Sequence, residues 1–465
     1  MLIFIVAYNA EKTIETVLSR IPASLVDDYR VEVLIIDDAS PDATFEQAAR
    51  FKDTRDLPFD VHVLFNPVNQ GYGGNQKIGY HFAVEHGFDY VALVHGDGQY
   101  APESLPDLVA PLRDGDADAV FGSRMLARGD AVKGGMPLYK FVGNKILSWI
   151  ENRVLGTRLS EFHSGYRVYS VDALKRVPFA LNTNDFHFAT EIIVQFVFAG
   201  LRIEERPIPT FYGDEISHVN GLKYAWNVVK AVLVARAQGL GLLYDRRFDC
   251  ASVADGEAVH RAKLGFESPQ RIALKKIPDG ARVLDLGYLG GYVGQALKDE
   301  KGCHVTGVYM RPLDPGIDLD RFIQCDLNDG LPDLEFADFD YVLMLEVIEH
   351  LVTPERFVDR LREALSHAPN TRLLVSTGNI GFLITRAMLT IGHFNYGKRG
   401  ILDITHARLF TFASLRRLFE QGGFRILATR GIPAPVPTAL RGGAGAPLLL
   451  AFTRRGLGPW PPFLP

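Results

Sequence analysis

Short apolar runs, each ending in a polar cluster, recur through the first quarter of the chain. Leu2–Val6 stops at Ala7-Tyr8-Asn9, and Val31–Ile36 stops at Asp37-Asp38-Ala39-Ser40. Both read as buried strands. Between them, Glu11–Ile21 has helical spacing, with Ile14, Val17, Leu18 and Ile21 on one face. Val61–Phe65, Val91–Val94 and Ala119–Phe121 repeat the strand pattern. Apolar strands alternating with amphipathic helices predict a parallel α/β sheet. Open sheets of this kind bind ligands at the carboxyl ends of their strands, where all these polar clusters fall.

A second block opens at Arg282-Val283-Leu284-Asp285-Leu286-Gly287 and continues through Val305–Val308, Tyr341–Leu345 and Arg372–Ser376. It predicts another α/β sheet. The polar, mixed stretch 246–267 joins the two. The expected division is a first domain over 1–245, that linker, a second domain over 268–430, and a Pro/Gly-rich tail over 431–465 expected to be poorly ordered.

The 465 residues leave room for two or three domains. A net charge of −5 argues against nucleic acid as a bulk electrostatic partner. Cys250, Cys303 and Cys325 fit neither a zinc spacing nor a disulfide framework, which points to a reducing, cytoplasmic setting. The apolar start lacks a basic n-region and a cleavage site, so it reads as a strand, not a signal peptide. No run is long and uncharged enough to predict a transmembrane helix.

Chemistry enters at Val91–Val94, which ends in His95-Gly96-Asp97-Gly98-Gln99. Asp97 and Gln99 offer two oxygens to a hard cation such as Mg2+ or Mn2+. The two glycines let the backbone turn sharply and approach a ligand. A departing diphosphate needs such a cation, because charge builds on its oxygens as the glycosidic bond breaks. A carboxylate at Asp37 or Asp38 can accept hydrogen bonds from a base or ribose. Taken singly, strand-end Asp and Asn also cap turns and helices.

VAYNAEKTIE, VLIIDDASPDAT, NPVNQGYGGNQKIGY, VALVHGDGQYAPESL, AVFGSRM and FHSGYRVYS occur in this order. Together they resemble the inverting family 2 glycosyltransferases, specifically the dolichyl- or polyprenyl-phosphate sugar synthases, over residues 2–235. The resemblance implies a GT-A fold and a nucleotide sugar as donor. It implies a polyprenyl phosphate acceptor met peripherally at the inner face of the membrane. By position it implies Ala7, Tyr8, Asn9, Glu11, Asp37, Asp38, Asn69 and Gly71 around the nucleotide. Asp97 and Gln99 fall at the metal and Arg124 at the acceptor phosphate. The family's metal motif, Asp-x-Asp-x-Gln, has His95 in place of its first carboxylate. His95 is then a nitrogen ligand, a donor to phosphate or a packing residue, and Mg2+ binding should weaken.

A phosphate acceptor is already anionic and needs positioning more than deprotonation. The Arg124 guanidinium suits that need. Arg167 reads as an internal partner of a carboxylate, and Glu191 as half of a structural ion pair. A sugar hydroxyl in glycan assembly would instead require a base, with Glu161, His163 and Asp185 as candidates. Farther on, Trp226, Val229, Val232, Leu233 and Leu240 share one side of a helix. That side is either interfacial on a membrane or packed on the core.

VLDLGYLGGYVGQAL resembles the first motif of class I S-adenosylmethionine (SAM) methyltransferases, with Asp285, Gly287 and Gly291 in place. FIQCDL, with Asp326 and Leu327, resembles their adenine-contacting stretch. FDYVLMLEVIEHL and the segment 394–424 extend the resemblance over 268–428. It implies a Rossmann-like fold with SAM as cofactor. Two positions depart from it: Leu289 replaces the middle glycine, and Tyr309-Met310 stands where an acid should hold the ribose. His350 and His406 read as structural, with a place near a methyl acceptor as the alternative. The second domain is then a methyltransferase, or a binding module without catalysis.

Overall fold

The computed structural model describes residues 1–126, 130–210, 220–239, 243–250, 264, 267–287, 290–397 and 400–432. The expected tail from residue 433, Leu240, Leu289 and most of the expected linker lie outside them. The chain forms two compact units, the first running to Gly239 and taking in 243–250, the second holding the described residues from 264 onward.

The first unit is a seven-stranded mixed sheet. Its strands are β1 (Leu2–Ala7), β2 (Glu32–Asp37), β3 (Asp60–Phe65), β4 (Tyr90–His95), β5 (Ala119–Ser123), β6 (Arg167–Ser170) and β7 (Ile203–Pro207), in the order β3-β2-β1-β4-β6-β5-β7. β6 runs antiparallel between β4 and β5, a reversal that the βα alternation did not announce. Both faces of the central strands are buried. Ile3, Ile5, Val33, Ile35, Ala92 and Val94 pack on one side with α1 (Ile14–Ser19), α2 (Thr44–Thr54) and α4 (Leu105–Arg113). Leu2, Phe4, Leu34, Ile36, Val91 and Leu93 pack on the other with α3 (Tyr72–Glu85) and α6 (Phe188–Phe198). Unbroken apolar runs are what a strand covered on both faces requires.

Register then sets the site. Ala7 stands beside Asp37, and Val6 beside His95, so three polar clusters share one sheet edge. The helix expected over Glu11–Ile21 is shorter, because Thr13 turns its hydroxyl onto the Gly96 carbonyl at 2.7 Å and residues 11–13 form a turn. Two longer helices, α5 (Leu138–Leu155) and α7 (Gly221–Gly239), pack against each other.

The second unit is a five-stranded sheet, parallel throughout, in the order β10-β9-β8-β11-β12. Its strands are β8 (Arg282–Gly287), β9 (His304–Tyr309), β10 (Arg321–Gln324), β11 (Tyr341–Leu345) and β12 (Arg372–Ser376). The helix α8 (Tyr292–Lys301) follows the glycine turn. Later come α9 (Pro354–Ala364) and α10 (Phe412–Gln421).

Candidate active site

The ends of β1 and β2 fold into tight loops that brace each other. Asn9 and Ala39 sit at φ +53° and +59°, left-handed values that non-glycine residues seldom adopt and that gather at ligand edges. The Asn9 N–H donates to Ser40 Oγ at 3.0 Å, and the Ala10 N–H to Thr44 Oγ1 at 2.8 Å. Glu11 accepts from the Ala43 N–H at 3.3 Å. Tyr8 stands exposed, while Ala7 is buried within the strand. Burial raises the Asp37 carboxyl above the usual range, although Ser40 donates to it through both its N–H and its hydroxyl.

Asp38 organises the facing loop. Its Oδ1 accepts from Asn66 Nδ2 and the Gln70 N–H, both at 2.8 Å, and its Oδ2 from the Gly71 N–H at 3.0 Å. Its carbonyl accepts from Asn69 Nδ2 at 2.9 Å. Asp38, Asn69 and Gly71 therefore form one assembly. Gly71 is obligatory there: φ is +78°, and an added Cβ would lie 2.8 Å from the Asn184 carbonyl oxygen.

His95 closes β4 in a cage of rings. Its Nε2 is hydrogen-bonded to the Tyr72 hydroxyl at 3.0 Å, and it meets Tyr72 and Tyr100 edge-on at centroid distances of 5.4 and 4.9 Å. A Cβ on Gly165 would fall 2.4 Å from the His95 ring. Burial lowers the His95 pKa and keeps the imidazole neutral, against the pull of Asp97. Asp97 Oδ1 accepts from the Gln99 N–H at 3.0 Å, and Oδ2 lies 4.0 Å from His95 Nδ1. Among the described residues, no three His, Cys, Asp or Glu side chains converge as a metal cage. The Asp97 side chain is 44% exposed, open enough to share a cation with a bound ligand.

Arg124 lies lower than an open phosphate clamp would. It is 6% exposed and paired with Glu161, which also accepts from the Arg124 N–H at 2.8 Å and Asn144 Nδ2 at 2.8 Å. Burial alone would raise the Glu161 carboxyl, but the guanidinium prevails and holds it low. The guanidinium also stands 5.9 Å over the Tyr100 ring. His163 is engaged at Nδ1, which bonds the Tyr224 hydroxyl at 2.8 Å; its Nε2 lies 3.1 Å from the buried Glu151 without a hydrogen bond between them. Asp185 is exposed.

Among the described residues, Arg167 does not pair with a carboxylate. It donates to the carbonyls of Ser164, Ala189 and Phe162, which lock the loop before β6. Glu191 pairs with Arg247, as a structural ion pair should. Of the expected apolar side of α7, Val232 is buried against Val194 and Phe248, whereas Trp226 and Leu233 are exposed. Tyr72, Tyr100, Gly165 and Tyr224 were not singled out beforehand. The first three lie inside quoted motifs, but nothing in spacing says that their side chains meet.

Two family models match: glycosyl transferase family 2 over residues 2–177, and a methyltransferase domain over 259–429. Undecaprenyl-phosphate mannosyltransferase of Micrococcus luteus is 32% identical over 52% of this chain and 97% of its own length. The low-salt glycan biosynthesis hexosyltransferase Agl6 of Haloferax volcanii is 31% identical over 49% of this chain and 51% of its own. Polyprenol monophosphomannose synthase of Mycolicibacterium smegmatis is 26% identical over 46% and 78%. The first of these aligns over nearly its whole length, the family 2 model spans the stretch that carries Asp38, His95 and Asp97, and the chain belongs to glycosyl transferase family 2.

Proposed function

We propose that the first unit, over 1–245, transfers a sugar from a nucleotide diphosphate sugar to a polyprenyl phosphate, inverting the anomeric carbon. Relatives named for undecaprenyl and polyprenol phosphate support this acceptor. One observation carries it over a hydroxyl acceptor. Of the three candidate bases, Glu161 is tied up by Arg124, and His163 is turned at Nδ1 onto the Tyr224 hydroxyl. A phosphate oxygen needs no base, so these attachments cost the reaction nothing.

In this reading the Asp38 assembly and the loops at Tyr8, Asn9, Glu11 and Asp37 receive the nucleotide. Asp97 and Gln99, with His95 beside them, would hold Mg2+ or Mn2+, which neutralises charge on the departing diphosphate when bound. Tyr72 fixes the neutral His95 ring, and Arg124, paired with Glu161, stands over the Tyr100 ring. The exposed apolar faces of α5 and α7 would rest on the cytoplasmic membrane surface, where the acceptor's phosphate is presented. Among the described residues, no helix is long and apolar enough to cross a membrane.

The test is transfer of labelled sugar from nucleotide donors to polyprenyl phosphate. Asp97→Ala should lower turnover by about 10²–10³, as loss of one charge-stabilising contact does. Asp185→Asn should leave turnover within about threefold, since a factor of ten is already 1.4 kcal/mol of barrier. Full activity in Asp97→Ala overturns the proposal. Collapse in Asp185→Asn, with transfer to a sugar hydroxyl instead, would establish the base-dependent reaction.

A further inference from the structure

The second unit has the sheet of a methyltransferase domain and the bare turn that would crowd SAM. Gly290 and Gly291 take φ +62° and +81°. SAM also needs anions: an acid at the end of the second strand for the ribose hydroxyls, and the carboxylate of the first strand beside the glycine turn. Tyr309 occupies the first place, as the last residue of β9 paired with Gly287. Tyr309 is 1% exposed and its ring folds back onto the sheet, so that a Cβ on Gly287 or Gly307 would lie 2.3 or 2.4 Å from it. Its hydroxyl donates to Asp285 Oδ2 at 2.6 Å, and Asp285 is itself buried. One acid is therefore absent and the other is closed off by the residue that replaced it.

We infer that Tyr309 and Asp285 form a latch that shuts the SAM position, leaving this unit a methyltransferase fold that does not take the cofactor. A phenol buried against the sheet cannot offer the paired acceptors that a ribose diol requires. Opening the latch would strand the Asp285 carboxylate without its donor. Asp314 is the next acid along the chain after Tyr309, and it lies against the glycine turn: a Cβ on Gly290 would be 2.4 Å from its Oδ2. That carboxylate covers the backbone that would have to approach the cofactor.

Calorimetric titration of the full chain with SAM, and separately with S-adenosylhomocysteine, decides the point. The wild type should show no saturable binding up to about 1 mM, the weak limit of specific recognition. Tyr309→Asp supplies the acid and removes the ring, and should gain at least about tenfold in affinity over the wild type. Tyr309→Phe keeps the ring and should gain nothing. Saturable wild-type binding with a Kd below about 1 mM overturns the inference. Its loss in Asp314→Ala would show that Asp314 has taken the ribose role. A folded Tyr309→Asp, checked by circular dichroism, that gains no affinity also overturns it. The wild-type titration stands even if that variant does not fold.

Discussion

His95 and Gly165 are one structural decision made at two points of the chain. The imidazole fits at the end of β4 because residue 165 has no side chain there. Gly165→Ala should push the ring off Tyr72 at a cost of about 1–3 kcal/mol, the usual range for overpacking. Sugar transfer should fall with it. His95→Asp, a smaller side chain, should recover part of the stability lost in the Gly165→Ala background. A double-mutant cycle on melting temperature and turnover measures the coupling, and strict additivity would refute it. At this scale the sequence was legible in part. His95 stood out as a histidine where the motif has a carboxylate, and the turn that carries Asp97 and Gln99 was readable from its glycines. The cage of Tyr72, Tyr100 and Gly165 was not, because residues that far apart in the chain meet only in the folded sheet.

At the scale of elements, the unbroken apolar strands β1, β2 and β4 were readable because both faces are buried. The strands that escaped lack that signal: β6 and β10 have only four residues each, and β7 reads Ile-Glu-Glu-Arg-Pro at the sheet edge. In the second unit, the strand pair β8 and β9 yields a pH dependence. Burial raises Asp285 from 3.8 to about 6, against the hydrogen bond from Tyr309. The folded unit then binds a proton that the unfolded chain releases between those values. Its stabilising effect is complete below 3.8 and is lost as pH rises through about 6. Glu349, raised by burial from 4.5 to about 7, adds a contribution of the same sign. The second unit should therefore melt at a higher temperature at pH 5 than at pH 7.5. Asp285→Asn should flatten, without abolishing, that slope in calorimetric scans; an unchanged slope would show that Asp285 titrates normally.

For the whole molecule, charge is distributed against its sum. The net charge is −5, yet α5 and α7 carry Lys140, Lys145, Arg153, Lys223, Lys230 and Arg236. Their one acid, Glu151, is buried beside His163. Alongside this charge, Tyr139, Ile146, Trp149, Leu222 and Trp226 stand more than half exposed. A surface both apolar and basic on an acidic protein suits an anionic lipid headgroup layer, where each basic residue contributes about 1 kcal/mol and salt screens the attraction. The protein should therefore sediment with vesicles containing phosphatidylglycerol and much less with pure phosphatidylcholine, and salt should release it. Replacing Trp149 and Trp226 with glutamate should abolish sedimentation and slow transfer to vesicle-borne polyprenyl phosphate. The same variant should keep near-normal turnover on a short, water-soluble polyprenyl phosphate, because neither indole belongs to the His95–Asp97 corner. Equal loss on both acceptors would mean that these helices support the fold and do not dock it.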